Sequence, residues 1–152
     1  MITFSIDDII KYCGKSSYEK GRSCASPDDF IKVFTQVNVL SGLYQGSVGV
    51  YRVTVHFKNN VPDYSWCTCP AMSQYDGRCK HIAGLMILWN KSPRKFMILE
   101  PWQSLLENKN KEELFQIIVN AASKSIDMTT VLYEEIKGES FIDDEELYGF
   151  FD

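Results

Sequence analysis

Two hydrophobic rhythms divide the chain. "FIKVFTQVNVL" (30–40) and "VGVYRVTVHF" (48–57) are rich in valine, threonine and aromatic residues, with partial alternation of apolar and polar positions. That pattern predicts strands. Gly42 and Gly46 are read as bracketing the turn between them, and Gly49 as a bulge. Asn59 and Asn60, followed by Pro62, predict a second turn, after which "DYSWC" (63–67) returns as a further strand. From Cys79 the period lengthens. Ile82, Leu85, Met86 and Trp89 fall at i, i+3, i+4 and i+7, the spacing of one helix face, and Pro93 ends the run.

Flanking segments are helical in pattern. "SIDDIIKYC" (5–13) offers Ser5 as an N-cap, with Asp7 and Asp8 in the first turn, where the helix dipole favours acids. "SSYEKGRSC" (16–24) predicts a second turn or two of helix, ending near Ser26-Pro27. Downstream, "EPWQSLLEN", "KEELFQIIVNAASK" and "DMTTVLYEEIK" predict three further helices. The expected fold class is α+β. A small antiparallel sheet packs with a helix in residues 1–98, a helical extension follows over 99–138, and residues 139–152 form an acidic-aromatic tail.

Composition narrows the class. At 152 residues with 45% apolar content, the chain can bury a core of its own. No apolar run approaches the ~20 residues that span a bilayer, so no membrane role is expected. The N-terminus carries acids where a secretory signal carries bases. Five cysteines, three of them tightly clustered, suit a reducing compartment, and the expected location is cytoplasmic, or nuclear in a eukaryote. The net charge of −4 conceals a gradient. The tail holds six acids and no base, whereas residues 11–95 hold 12 bases and 5 acids.

The densest chemistry lies in "WCTCPAMSQYDGRCKHIAGLMILW" (66–89). Cys67 and Cys69 are two apart on a strand, so both side chains leave the same face. Pro70 ends that strand, and a loop containing Gly77 leads to Cys79 and His81 at the start of the helix, where the dipole favours a thiolate. Three thiolates and one imidazole make a soft tetrahedral donor set that selects zinc over magnesium or calcium. With Zn2+ bound the centre carries about −1, and Arg78 and Lys80 flank it as compensation. Ordinary buried thiols would not explain four ligand-type residues in two matched pairs. A Cys67–Cys69 redox couple would leave Cys79 and His81 without a role. Four protein ligands close the shell against substrate water, so the single zinc reads as structural, and no catalytic residue is assigned.

"CTCP" followed by "GRCKHIAGLMILW" resembles the SWIM-type zinc finger, whose signature is Cys-x-Cys, a variable loop, then Cys-x-His. The similarity extends to "SYEKGR", "YRVTVHF" and "WQSLLENKNKEELFQIIV", over about residues 16–124, in the layout of stand-alone prokaryotic members. The resemblance implies binding of DNA or protein without catalysis, because the family occurs in Mutator-type transposases, Swi/Snf-type ATPases and partners of recombinase paralogues. Two functions are therefore expected. One is a nucleic-acid-binding module, for DNA rather than RNA, in recombination, repair, transposition or helicase-linked processes. The other is an adaptor for a recombinase paralogue or a Swi/Snf-type ATPase. For the first, the basic residues Arg22, Arg52, Lys58, Arg78, Lys80, Lys91, Arg94 and Lys95 form a phosphate-binding stripe if the fold places them on one face. The acidic tail would then cover that stripe until displaced. His56 reads as an ordinary strand histidine, and Cys13 and Cys24 as small buried hydrophobes. Oligomeric state is left open by the sequence.

Overall fold

A computed structural model describes residues 2–72 and 78–138; the acidic tail and the loop glycine Gly77 lie outside the described residues. The chain divides into two compact units, Met1–Pro101 and Trp102–Asp152. The first unit is α+β. It runs α1 (Ile6–Cys13), α2 (Lys15–Cys24), β1 (Phe30–Gln36), β2 (Val39–Gln45), β3 (Val50–Lys58), β4 (Val61–Cys67), α3 (Lys80–Lys91), a 3-10 turn (Pro93–Lys95) and β5 (Met97–Ile98). Sheet order is β4-β3-β2-β1-β5, with β1 to β4 antiparallel and β5 parallel to β1.

Local chemistry explains the helix boundaries. Ser5 Oγ accepts from the Asp8 backbone N–H at 3.1 Å while the Asp8 carboxylate accepts from the Ser5 N–H at 2.7 Å, a reciprocal capping box. Gly14, at φ +79°, ends α1 and turns the chain into α2. α3 begins after Cys79 and stops ahead of Pro93.

The strand reading needs correction at one hairpin. The segment from 30 to 40 is not one strand but two, joined by a tight turn at Val37-Asn38, with Val37 at φ +52°. A β-branched residue rarely adopts that conformation, so Asn38 is the one turn-forming residue that marks the turn in the sequence. Gly42 lies in mid-strand, where a Cβ would stand 2.9 Å from Phe30 and 3.0 Å from Leu85; the turn falls instead at 46–49. Pro62 lies within β4, which is tolerated because β4 is an edge strand. The two-residue β5 has no periodic signature, and its pairing with β1 is long-range.

The inward face of the sheet presents Leu40, Val53, Val55 and Phe57 to α3, which is buried from His81 through Trp89. A helix apolar on every side must be enclosed on every side. The sheet covers one side of α3 and α2 covers another. The α2–α3 crossing is made of small residues. A Cβ on Gly21 would meet Ala83 Cβ at 2.7 Å and the Gly84 nitrogen at 3.0 Å, and one on Gly84 would meet Cys24 Cβ at 3.0 Å. The N-terminal segment is fastened to the far end of α3 and to β3: Trp89 Nε1 donates to the Ile2 carbonyl at 3.0 Å, and Phe4 stacks on Phe57 at 5.0 Å.

In the second unit, α4 (Trp102–Leu106), α5 (Lys111–Ala122) and α6 (Ile126–Lys137) match the predicted helices. Asn110 and Glu113 form a capping box for α5, and Ser125 caps α6. Lys124 falls just past the end of α5. Among the described residues no helix is long and apolar enough to cross a membrane.

The α2–α3 crossing makes a direct prediction. Gly21→Ala forces backbone apart and should destabilise the protein by about 1–3 kcal/mol in urea unfolding. Gly49→Ala, with nothing within 4 Å of the added methyl, should stay within about 0.5 kcal/mol of the parent.

Candidate metal centre

Cys67 is the last residue of β4, and the antiparallel pairing Val53↔Cys67 aims it inward with Val53. Cys69 follows two residues later, after Thr68 has been pinned to β3 by a hydrogen bond from its N–H to the Arg52 carbonyl and one from the Arg52 N–H to its hydroxyl. Cys79 occupies the N-cap of α3 and His81 its first turn. All four are buried, and their ligand atoms lie within 4.8 Å of one another. His81 turns Nδ1 to the sulfurs, 3.9 Å from Cys67 Sγ and 3.8 Å from Cys79 Sγ. A tetrahedral site with Zn–S bonds of about 2.3 Å has edges of about 3.8 Å, so the spacing fits.

Electrostatics make the same demand. Without a cation, the Cys67 thiol donates to Cys79; this hydrogen bond and burial push Cys67 up. Burial, with the negative charge on Cys79, pushes Cys69 up as well. Cys79 is pulled down to about 4 by the hydrogen bonds it receives from Cys67 and His81, aided by the backbone N–H groups of Ile82 and His81. Three thiolates in this buried volume need a divalent cation. Backbone N–H groups of Cys69 and Ala71 support the Cys67 and Cys69 sulfurs, the kind of outer shell that fixes metal-bound thiolates.

A family model for the SWIM zinc finger matches residues 51–90, from β3 to the end of α3. Residues 51–90 are a SWIM zinc finger. Comparison with curated proteins and with solved structures found no match to the chain. The finger's four ligands form a site for one structural zinc ion. The segments upstream of 51 and downstream of 90 lie outside the match.

Sequence reasoning missed the wall of the finger. Tyr44 and Tyr51 pack their rings 4.5 and 5.2 Å from the His81 imidazole and hold it in place. They face each other across β2 and β3 on the inward side, which the alternation with Val53 and Val55 signals once the register is known. Cys13 and Cys24 are buried free thiols; burial and the negative charge on Cys79 push Cys13 up to about 12. His56 is exposed and meets Tyr64 edge-on at 5.6 Å, apart from the metal ligands.

The eight basic residues are all exposed but do not form one stripe. Arg52 and Lys58 point from the sheet face opposite α3, since Val53, Val55 and Phe57 between them point inward. Arg78 and Lys80 stand at the start of α3, with Arg78 over the Tyr12 ring at 5.0 Å. Lys91, Arg94 and Lys95 lie at its other end, roughly 16 Å along a helix of this length. Arg22 is on α2, paired with Glu19 at 3.4 Å. The condition of a single face is not met, because β3 points Arg52 and Lys58 away from α3 and the length of α3 separates Arg78 and Lys80 from Lys91, Arg94 and Lys95.

Cys69→Ser and His81→Ala should each lose the zinc and lower the melting temperature by roughly 10 °C or more. Cys13→Ala should retain one zinc per chain, with metal content and near-UV circular dichroism as the readouts. Zinc requires deprotonated ligands, so affinity should rise with pH. Cys67 and Cys69, both pushed up, each lose a proton on binding. Apparent affinity should therefore rise by about 100-fold or more per pH unit near neutrality, read by chelator competition.

Proposed function

We propose that the protein is a non-catalytic, zinc-stabilised module that binds nucleic acid, DNA rather than RNA, in recombination, repair, transposition or helicase-linked processes. The observation that carries this reading is the pairing of a closed metal shell with an exposed cationic surface. All four ligand positions of the zinc are taken by buried protein groups, which leaves no position for substrate. Every basic side chain named above is exposed. Exposed lysine and arginine side chains neutralise phosphates and release counterions, a mode that needs no single recognition helix. Arg78 and Lys80, which flank Cys79 in sequence, are the members of that set placed to offset the negative charge of the zinc–thiolate centre as well.

An adaptor role, with a recombinase paralogue or a Swi/Snf-type ATPase as the partner, is favoured by a separate feature. No residue of α4 or α5 is buried, nor any described side chain of α6, and Phe115, Val131 and Ile136 are all more than half exposed. Such helices suit docking by their apolar faces.

Fluorescence anisotropy of labelled single- and double-stranded DNA with the zinc-loaded protein decides between the two. Nucleic-acid binding predicts affinity that falls roughly tenfold or more from 50 to 200 mM salt, and tightens when the acidic residues 139–152 are removed. Absence of binding by either form at low salt rejects it in favour of the adaptor.

A further inference from the structure

The helices of the first unit that pack on the sheet, α1 and α3, lie on one face, because their partners Ser65, Cys67, Val53, Val55 and Leu40 are the inward residues of the strands. The opposite face is read directly from the register. One cross-strand row runs Lys32, Leu43, Arg52; the next runs Phe34, Ser41, Thr54, Trp66; a third runs Gln36, Val39, His56, Tyr64. Lys58 pairs with Val61 beyond them. This face is aromatic and cationic together. Tyr64 is 57% and Trp66 41% exposed, values far from those of core aromatics such as Phe57 and Trp89 at 5% and 6%.

The rings are also placed as a platform. Tyr64 and Trp66 are two residues apart on β4, so they stand roughly 7 Å from each other along the strand. Phe34 lies in the Trp66 row three strand spacings away, roughly 14 Å across the sheet. His56 props the Tyr64 ring edge-on. The outward strand positions of β1 to β4 supply three cations, Lys32, Arg52 and Lys58, and no acid. Asp63, the acid within β4, is exposed and sits unpaired at the bulge.

We propose that this open sheet face is a binding platform for single-stranded DNA, on which Trp66 and Tyr64 stack against bases while Arg52, Lys58 and Lys32 track the phosphates. The proposal rests on the nucleic-acid reading above and specifies its ligand and its face. A duplex hides its base faces within the stack, so exposed rings on a sheet have nothing to stack against there; an unpaired strand offers one π-face per nucleotide. A polyanion also matches a face whose paired outward positions carry cations and no acid, as a mixed-charge protein interface does not. Neither ring belongs to the zinc shell, so the platform and the metal centre can be perturbed separately.

The test uses the full-length zinc-loaded protein with labelled oligothymidylate, oligouridylate and a DNA duplex of equal length. Trp66→Ala and Tyr64→Ala should each weaken oligothymidylate binding roughly 5- to 100-fold, with zinc content and melting temperature unchanged. Trp66→Phe should restore most of the loss, and duplex affinity should change by no more than about twofold. In a Trp102→Phe background Trp66 is the exposed indole, since Trp89 is buried. Its fluorescence should be quenched on adding oligothymidylate, a readout that leaves the platform intact. Oligothymidylate binding that is indifferent to both alanine variants and leaves that fluorescence unquenched overturns the platform while the nucleic-acid reading stands. Tighter binding to oligouridylate than to oligothymidylate overturns the assignment to DNA. No binding to any of the three overturns the platform and the nucleic-acid reading together.

Discussion

The repulsion among three buried sulfurs governs the centre of this molecule. Cys67, Cys69 and Cys79 converge on His81 in a volume from which water is excluded, and such a group is stable as a set of thiolates only around a divalent cation. Zinc therefore joins the end of β4 to the first turn of α3, across a loop that supplies no regular structure among its described residues. Because α3 is buried along nearly its whole length, fixing its N-terminus fixes the core. The far end is held independently, by the Trp89 indole on the Ile2 carbonyl and by the edge-on contact of Trp89 with Phe96.

Around that axis the packing is divided by residue size. Large aliphatic side chains of the sheet fill one side of α3, whereas Gly21 and Cys24 of α2 meet Ala83 and Gly84 so closely that added methyl groups have no room. Close approach lets α2 shield a helix with no polar side of its own. The two tyrosines against His81 complete the enclosure on the metal side.

The consequence for function is a separation of roles. Four buried protein ligands suit a structural zinc, and the proposed binding lies on exposed surfaces. The two units differ in what they expose: an aromatic, cationic outer sheet face in the first, and apolar side chains on helices in the second. An edge position for β4 keeps Tyr64 and Trp66 accessible from the side as well as from above.

Much of this was legible in the sequence because it depends on local geometry. The ligand set follows from two-residue spacing on a strand and at a helix start, and the caps at Ser5 and the terminator at Pro93 act within one turn of their helices. The α+β class and the helices of the second unit follow from periodicity in the same way. What sequence reasoning lost was decided by long-range packing. The hairpin at Val37-Asn38 is imposed against the preference of a β-branched residue, and β5 exists only because β1 offers it an edge. Periodicity marked one face of α3 as core, yet burial on all sides required α2 to arrive at Gly84. Whether the basic residues share a face was open in the sequence, and alternation along β3 sends Arg52 and Lys58 away from α3. A linear pattern gives each residue's side of its own element; only the register and the stacking of layers decide which of those sides meet.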